Sequence, residues 1–336
     1  MRLPALCLAL LSAAAFAAEP FLKPNDVIAL VGGEDMVVAG ELGYLELLLT
    51  RALPGHRLKF RTLAWEGDTV FEQRRDLNFP PLEKQLDEIG ATVVLCQFGQ
   101  MESLAGKEKL PEFVAAYEKL LGRMSGGGKR KFMLIAPTFF EKGRPSYELP
   151  VDPSPNRTFP QIEPNLVLSE YRIQIGAIAK AHGFPLVRGT LSKAELVEAG
   201  RTVDENFDPS WPTSIFTRDG VHAAARGHVL LRMYFKEAFP ELRDASISAE
   251  FRDEGHIVRP KSDESLRQQI IAKNRLWFDY WRVENWAFLA GDRTSQPSSR
   301  DHLDKTQRWF PAERDRFLPL IDAREKEIWA AAAQLK

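Results

Sequence analysis

The strongest chemical signal in the chain is Asp219-Gly220-Val221-His222, followed after a helix-like Ala223-Ala224-Ala225-Arg226 by Gly227-His228. An Asp three residues before a His on one loop can orient the imidazole and stabilise its protonated form, as a general base in acyl transfer requires. Taken by itself the pair equally suits a surface His with a capping Asp. Its weight comes from three other segments: Gly32-Gly33-Glu34-Asp35, Trp65-Glu66-Gly67-Asp68-Thr69 and Phe98-Gly99-Gln100-Met101-Glu102-Ser103. Each follows an apolar, β-rich run, so all three belong at the carboxyl ends of strands, where open α/β sheets place their ligand crevice.

The elements that must position these segments follow from the hydrophobic pattern. Val27 to Val31, Leu58 to Leu63 and Thr92 to Phe98 read as strands, and Gly40 to Leu53 and Pro81 to Ile89 as amphipathic helices between them. The apolar runs Val27-Ile28-Ala29-Leu30-Val31 and Thr92-Val93-Val94-Leu95-Cys96 suit strands covered on both faces, as in a parallel sheet. Leu110 to Leu121 predicts a further helix, broken by Ser125-Gly126-Gly127-Gly128, and Lys131 to Ala136 the next strand. Residues 143 to 165 hold six prolines and read as an irregular insertion before a helix over Leu166 to His182 and a short strand at Pro185-Leu186-Val187. Five of the seven tryptophans, Trp277, Trp281, Trp286, Trp309 and Trp329, fall in the last quarter. Trp277 and Trp281 share a helix face with Ile270 and Asn274, which favours aromatics packed on a main domain over a sugar-stacking surface.

Over residues 24 to 235 the four segments resemble the SGNH hydrolases, also called GDSL esterases and lipases. The resemblance implies a three-layer α/β/α fold with a central parallel sheet, of flavodoxin-like type, and ester hydrolysis, on acetyl or short acyl groups carried by carbohydrates. In that family the first block is Gly-Asp-Ser with Ser as nucleophile, and the second supplies a Gly amide. The third is Gly-x-Asn-Asp with Asn as oxyanion donor, and the last is Asp-x-x-His. Carried over by position, His222 is the base, Asp219 its orienter and Gly67 the oxyanion amide, while Gly99 and Glu102 fit the frame of the third block. Lys273-Asn274-Arg275-Leu276-Trp277-Phe278 with Tyr280-Trp281-Arg282 resembles the helical tail of secreted SGNH-like proteins from environmental bacteria.

Two departures bear on activity. Aligning Gly32 with the Gly of Gly-Asp-Ser puts Glu34 at the nucleophile position, and Met101 stands where the third block has Asn. Losing one oxyanion donor costs about 100 to 1,000-fold in rate, and Met has no hydrogen to donate in its place. An ionised Glu34 would also repel an oxyanion by about 4 kcal/mol at about 4 Å in an effective dielectric near 20. The expectation is a weakly active or inactive SGNH-like protein that keeps the crevice for binding. One alternative is a hydrolase with altered chemistry, using Glu34, Asp35, Glu102, Asp219 and His222 as an acid/base set or around a divalent cation. The other is a non-catalytic glycan- or protein-binding module. Ser103, Thr69 and Asp35 are weaker substitutes for the nucleophile.

Composition narrows the partners. The 336 residues carry 45 Lys plus Arg against 46 Asp plus Glu, for a net charge of -1, which gives no footprint for nucleic acid. Arg2, the apolar run Leu3 to Leu11 and Ala15-Phe16-Ala17 read as a signal peptide over residues 1–18, so the expected location is periplasmic or secreted, with no membrane span after its removal. The expected division is then an α/β domain over 19–245 and a C-terminal helical extension over 246–336 that packs on it. Cys7 lies in the signal, which leaves Cys96 inside an apolar strand as a buried thiol. Gly-x-Gly-x-x-Gly and His-x-x-x-His are both absent, so no cofactor or metal is implied. Asn156-Arg157-Thr158 is a glycosylation sequon, and Arg74-Arg75 reads as a solvated helix face.

Overall fold

A computed structural model describes residues 20–75, 77–140, 162–188, 217, 221–239, 242, 248–252 and 255–335. The expected signal peptide, the sequon and Asp219 lie outside them, as does all but the end of the proline-rich insertion. Five parallel strands, β1 (Val27–Gly32), β2 (Lys59–Thr62), β3 (Val93–Gln97), β4 (Lys131–Ile135) and β5 (Leu186–Val187), form one sheet in the order β2-β1-β3-β4-β5. The register pairs Ile28 with Phe60 on one side and with Val93 on the other, so the three ends that carry the sequence segments lie side by side.

Alternation along β1 divides the core in two. Ile28 and Leu30 join one apolar cluster, and Ala29 and Val31 join the other on the opposite face of the sheet. The first cluster is covered by α1 (Glu34–Leu42), α2 (Tyr44–Ala52) and α7 (Ala225–Ala238). The second is covered by α3 (Leu82–Glu88), α5 (Leu110–Met124) and α6 (Ile162–His182), and the short α4 (Gln100–Ser103) follows β3. Helices on both faces of a parallel sheet give three layers, as the pattern predicts.

The stretch from Gly40 to Leu53, expected as one helix, is two. α1 begins at Glu34, directly after the strand, and Gly43 at φ 68° ends it and turns the chain into α2. Gly is needed there because its left-handed backbone also brings it against Ile270, where a Cβ would lie 3.0 Å from that side chain. A second difference lies beyond α7, where β6 (Ser248–Arg252) and β7 (Gly255–Arg259) pair antiparallel before the C-terminal helices begin.

Those helices are α8 (Lys261–Trp281), α9 (Trp309–Asp315) and α10 (Phe317–Gln334). α8 lies across α1, α2 and the edge strand β2, and α10 packs along α8. The indole N–H of Trp277 donates to the carbonyl of Thr62 at 2.9 Å, which blocks part of the open hydrogen-bonding edge of β2. Trp277 and Trp281 are 4% and 8% exposed, so the core reading of this face holds. Among the described residues no helix is long and apolar enough to cross a membrane.

Candidate functional site

The site starts at the end of β1. Gly32 has φ 151°, and a Cβ there would fall 2.4 Å from the carbonyl oxygen of Gln97 on β3, so only Gly lets the two strand ends approach this closely. The chain enters α1 at once, which places Glu34 and Asp35 in the first helical turn, where the unpaired N–H groups favour negative charge.

Glu34, Gly67, Met101 and His222 line one crevice of about 130 Å³, together with Gly33, Gln97 and Pro137. His222 Nε2 lies 3.4 Å from Glu34 Oε2, the two side chains being 32% and 25% exposed. Met101 is 49% exposed at the rim. Four of the five residues chosen from the sequence therefore meet at the carboxyl ends of β1, β2 and β3. The fifth, Asp219, lies outside the described residues.

Three residues that the sequence reading gave other roles or passed over hold this arrangement. The carboxylate of Asp35 accepts hydrogen bonds from the Ala223 N–H at 2.9 Å and from the Thr138 hydroxyl at 3.0 Å. Asp35 thus ties the His222 loop to α1 and to the end of β4, which suits a strut better than a nucleophile. Gln100 does the same from the third segment, its amide donating to the carbonyls of Val221 and Thr138, each at 2.9 Å. Glu102, 5% exposed, accepts the Val70 N–H and the Gly99 N–H, each at 2.8 Å. It thereby joins the second segment to the third. Burial pushes its pKa above the usual carboxylate range, against the two N–H donors that favour the charged form.

The loop that carries Gly67 is held from both ends. Gly67 has φ 82° and sits in a turn closed by the Asp68 N–H on the Trp65 carbonyl at 3.0 Å. Asp68 is gripped by both ends of the Arg75 guanidinium, each contact 2.7 Å, and Arg75 lies over the Trp65 ring at 4.3 Å. Arg75 was expected on a solvated helix face. It lies instead on a loop with its side chain 5% exposed, because a bidentate carboxylate and an indole face compensate its burial. From the C-terminal side, Arg282 pairs with Glu66 at 2.8 Å and lies over Trp65 at 4.1 Å. Burial disfavours the charged Glu66, yet the Arg282 hydrogen bond and charge hold its pKa below the ordinary value.

Cys96 is fully buried beside Tyr117, and burial pushes its thiol up to about 12, which makes it inert. Among the described residues no group of three or more His, Cys, Asp or Glu side chains is arranged to hold a metal ion.

No family model matches the chain, and no curated protein matches it. Solved structures do. A gut microbial diltiazem-metabolizing enzyme aligns over 93% of this chain and 95% of its own, with a TM-score of 0.54 at 12% identity. A catalytic mutant of an acetylxylan esterase from Geobacillus stearothermophilus aligns over 65% of this chain and 95% of its own, with a TM-score of 0.47 at 16% identity. The native aryl esterase of M. smegmatis covers 66% of this chain and 100% of its own, with a TM-score of 0.41 at 13% identity. At 12% identity the likeness to the first of these speaks for the fold alone, a three-layer α/β/α architecture extended by C-terminal helices.

Proposed function

We propose that this chain is a secreted SGNH-fold protein that binds acyl esters, acetyl or short acyl groups on carbohydrates, without ordinary serine-esterase turnover. The observation that carries the reading is the Glu34 carboxylate, which stands at the nucleophile position 3.4 Å from His222 Nε2. A carboxylate there supplies no hydroxyl to deprotonate, and its charge opposes the oxyanion that acyl transfer would form. Met101 at the oxyanion-donor position adds an apolar wall where a donor is required. What remains is a pocket with a backbone turn at Gly67, an apolar rim and an imidazole, which suits holding an ester more than cleaving it. In this reading residues 246–336 extend the α/β domain and brace it.

A second reading rests on the same contact, since a carboxylate can orient His222 toward water as a general base. Both are tested by assaying the mature protein on short-chain aryl esters and acetylated xylo-oligosaccharides beside His222→Ala and Glu34→Ala. The binding reading expects background hydrolysis in all three, with the acetylated oligosaccharide binding more tightly than its deacetylated form, an increment that Met101→Trp abolishes by filling the rim. Turnover that disappears in both alanine variants overturns it in favour of the water mechanism.

A further inference from the structure

A second cavity, of about 500 Å³, lies between the C-terminal helices and the β2 edge of the sheet, and it shares no lining residue with the crevice. Its walls are aromatic: Trp277, Tyr280 and Trp281 from α8, Trp286 just beyond it, and Phe79 from the loop before α3. This size falls within the range of about 300 to 1,000 Å³ typical of small-ligand sites.

The rings are fixed before any ligand arrives. Trp277 donates to the Thr62 carbonyl at 2.9 Å, Trp281 to Gln85 at 2.8 Å and Trp286 to the Leu77 carbonyl at 2.8 Å. Phe79 packs against Trp286 at 4.2 Å between centroids and edge-on to Trp281 at 6.0 Å. Trp277 and Trp281 are buried as the cavity's inner wall, and Arg61 and Arg314 lie over the Trp277 and Tyr280 rings. The ring surface left to a ligand is therefore chiefly that of the half-buried Trp286 and Phe79, which offer no free donor and lose little rotamer freedom on binding.

The polar groups around the cavity are of both signs. Glu88 is exposed and its carboxylate makes no hydrogen bond or ion pair among the described residues. Arg314 lies over the Tyr280 ring at 4.7 Å and pairs with Asp315 at 3.1 Å. Arg61 also lines the cavity, but its charge is met by Glu325 at 2.5 Å. A cation would face Arg314 and an anion Glu88, and a purely apolar molecule would strip water from both without replacing it. A neutral ring bearing hydroxyls on its edge and C–H groups on its face satisfies all three surfaces. Its hydroxyls donate to Glu88 and accept from Arg314, and its C–H hydrogens, polarised by neighbouring oxygens, meet the negative faces of the aromatic rings.

We infer that this cavity is a saccharide-binding site for a neutral oligosaccharide, separate from the ester crevice. It adjoins the crevice loop through Trp65, two residues before Gly67, which packs edge-on to Phe79 and Trp281 at 5.7 and 5.6 Å. The inference stands whether or not the crevice binds esters.

The test is calorimetric titration of the full mature chain with unacetylated xylohexaose and cellohexaose, and with benzoate and choline as singly charged controls. The expected result is saturable binding of at least one hexasaccharide and of neither control. Glu88→Gln and Trp286→Ala should each weaken that binding at least tenfold, while Met101→Trp at the crevice leaves it unchanged. Glu88 is exposed, so its variant probes the site even where Trp286→Ala fails to fold. Absence of binding by both hexasaccharides, loss of binding in Met101→Trp, or full binding in Glu88→Gln overturns the assignment.

Discussion

Arg282, at the end of α8, reaches the loop that carries Gly67: its guanidinium lies 2.8 Å from the Glu66 carboxylate and 4.1 Å from the centre of the Trp65 ring. A helix far along the chain thereby braces the loop whose Gly67 and Asp68 line the crevice. The ion pair is partly exposed, so it contributes about 1 kcal/mol or less, with a similar amount from the cation–π contact. Arg282→Ala should therefore lower stability by about 1 to 2 kcal/mol and speed amide hydrogen exchange at Glu66, Gly67 and Asp68, with exchange in β1 unchanged. Unaltered exchange in the loop would show that Arg75 alone holds it.

The buried pair Lys273 and Glu46 predicts a different response. Lys273 Nζ lies 2.9 Å from Glu46 with the two side chains 0% and 7% exposed, so it joins α8 to α2 inside the protein. Burial raises the Glu46 pKa and lowers that of Lys273, each opposed by the other's charge. Removing one partner strands the other, which costs about 3 to 5 kcal/mol. Lys273→Met should reach that loss in urea unfolding, and the double variant Lys273→Met with Glu46→Leu should recover most of it. A double variant no better than the single one would mean that the charges contribute more than their desolvation costs.

The strands and their order in the chain were legible because each rests on local pattern, an apolar run and then a polar segment at its end, whereas Glu34, Gly67, Met101 and His222 were legible together only through their resemblance to the SGNH blocks. The two-helix break at Gly43 was not, since a lone Gly inside a helical pattern signals a turn only once Ile270 is seen packed on it from a distant helix. The struts were hidden for the same reason. Asp35 and Gln100 read as neighbours of the reacting positions, and their partners Ala223, Thr138 and Val221 stand far from them in sequence. Arg74-Arg75 misled because two adjacent charges default to solvent, whereas the bidentate contact with Asp68 needs the fold to form.

The burial of His228 on α7 gives a prediction for acid sensitivity. The residue is 5% exposed, and burial lowers its pKa to about 4 from the ordinary 6.5. The unfolded chain therefore takes up this proton first as pH falls. The contribution of a neutral His228 is complete above about pH 6.5, declines between about 6.5 and 4, and is lost below. At 1.36 kcal/mol per pKa unit it amounts to about 3 kcal/mol. His228→Leu should flatten the dependence of the urea midpoint on pH across that window. An unchanged slope would assign the acid sensitivity to other groups.

Adding a hydroxyl and a hydrogen-bond donor tests whether the crevice can support acyl transfer. Glu34 enters α1 where the N–H groups of the first turn point outward, and His222 Nε2 already lies 3.4 Å from its carboxylate. Glu34→Ser removes that carboxylate and leaves a hydroxyl on a shorter side chain facing the same crevice, and Met101→Asn adds a donor at the rim. The serine variant should hydrolyse short-chain aryl acetates measurably above the parent. The double variant should exceed it by about 100-fold, the usual effect of one oxyanion donor. Adding His222→Ala should return both to background, which would assign the gain to the serine and histidine acting together. A folded double variant that stays at background would mean that Gly67 and His222 do not stand where an acyl group needs them, which would count against the position-by-position carry-over of the site.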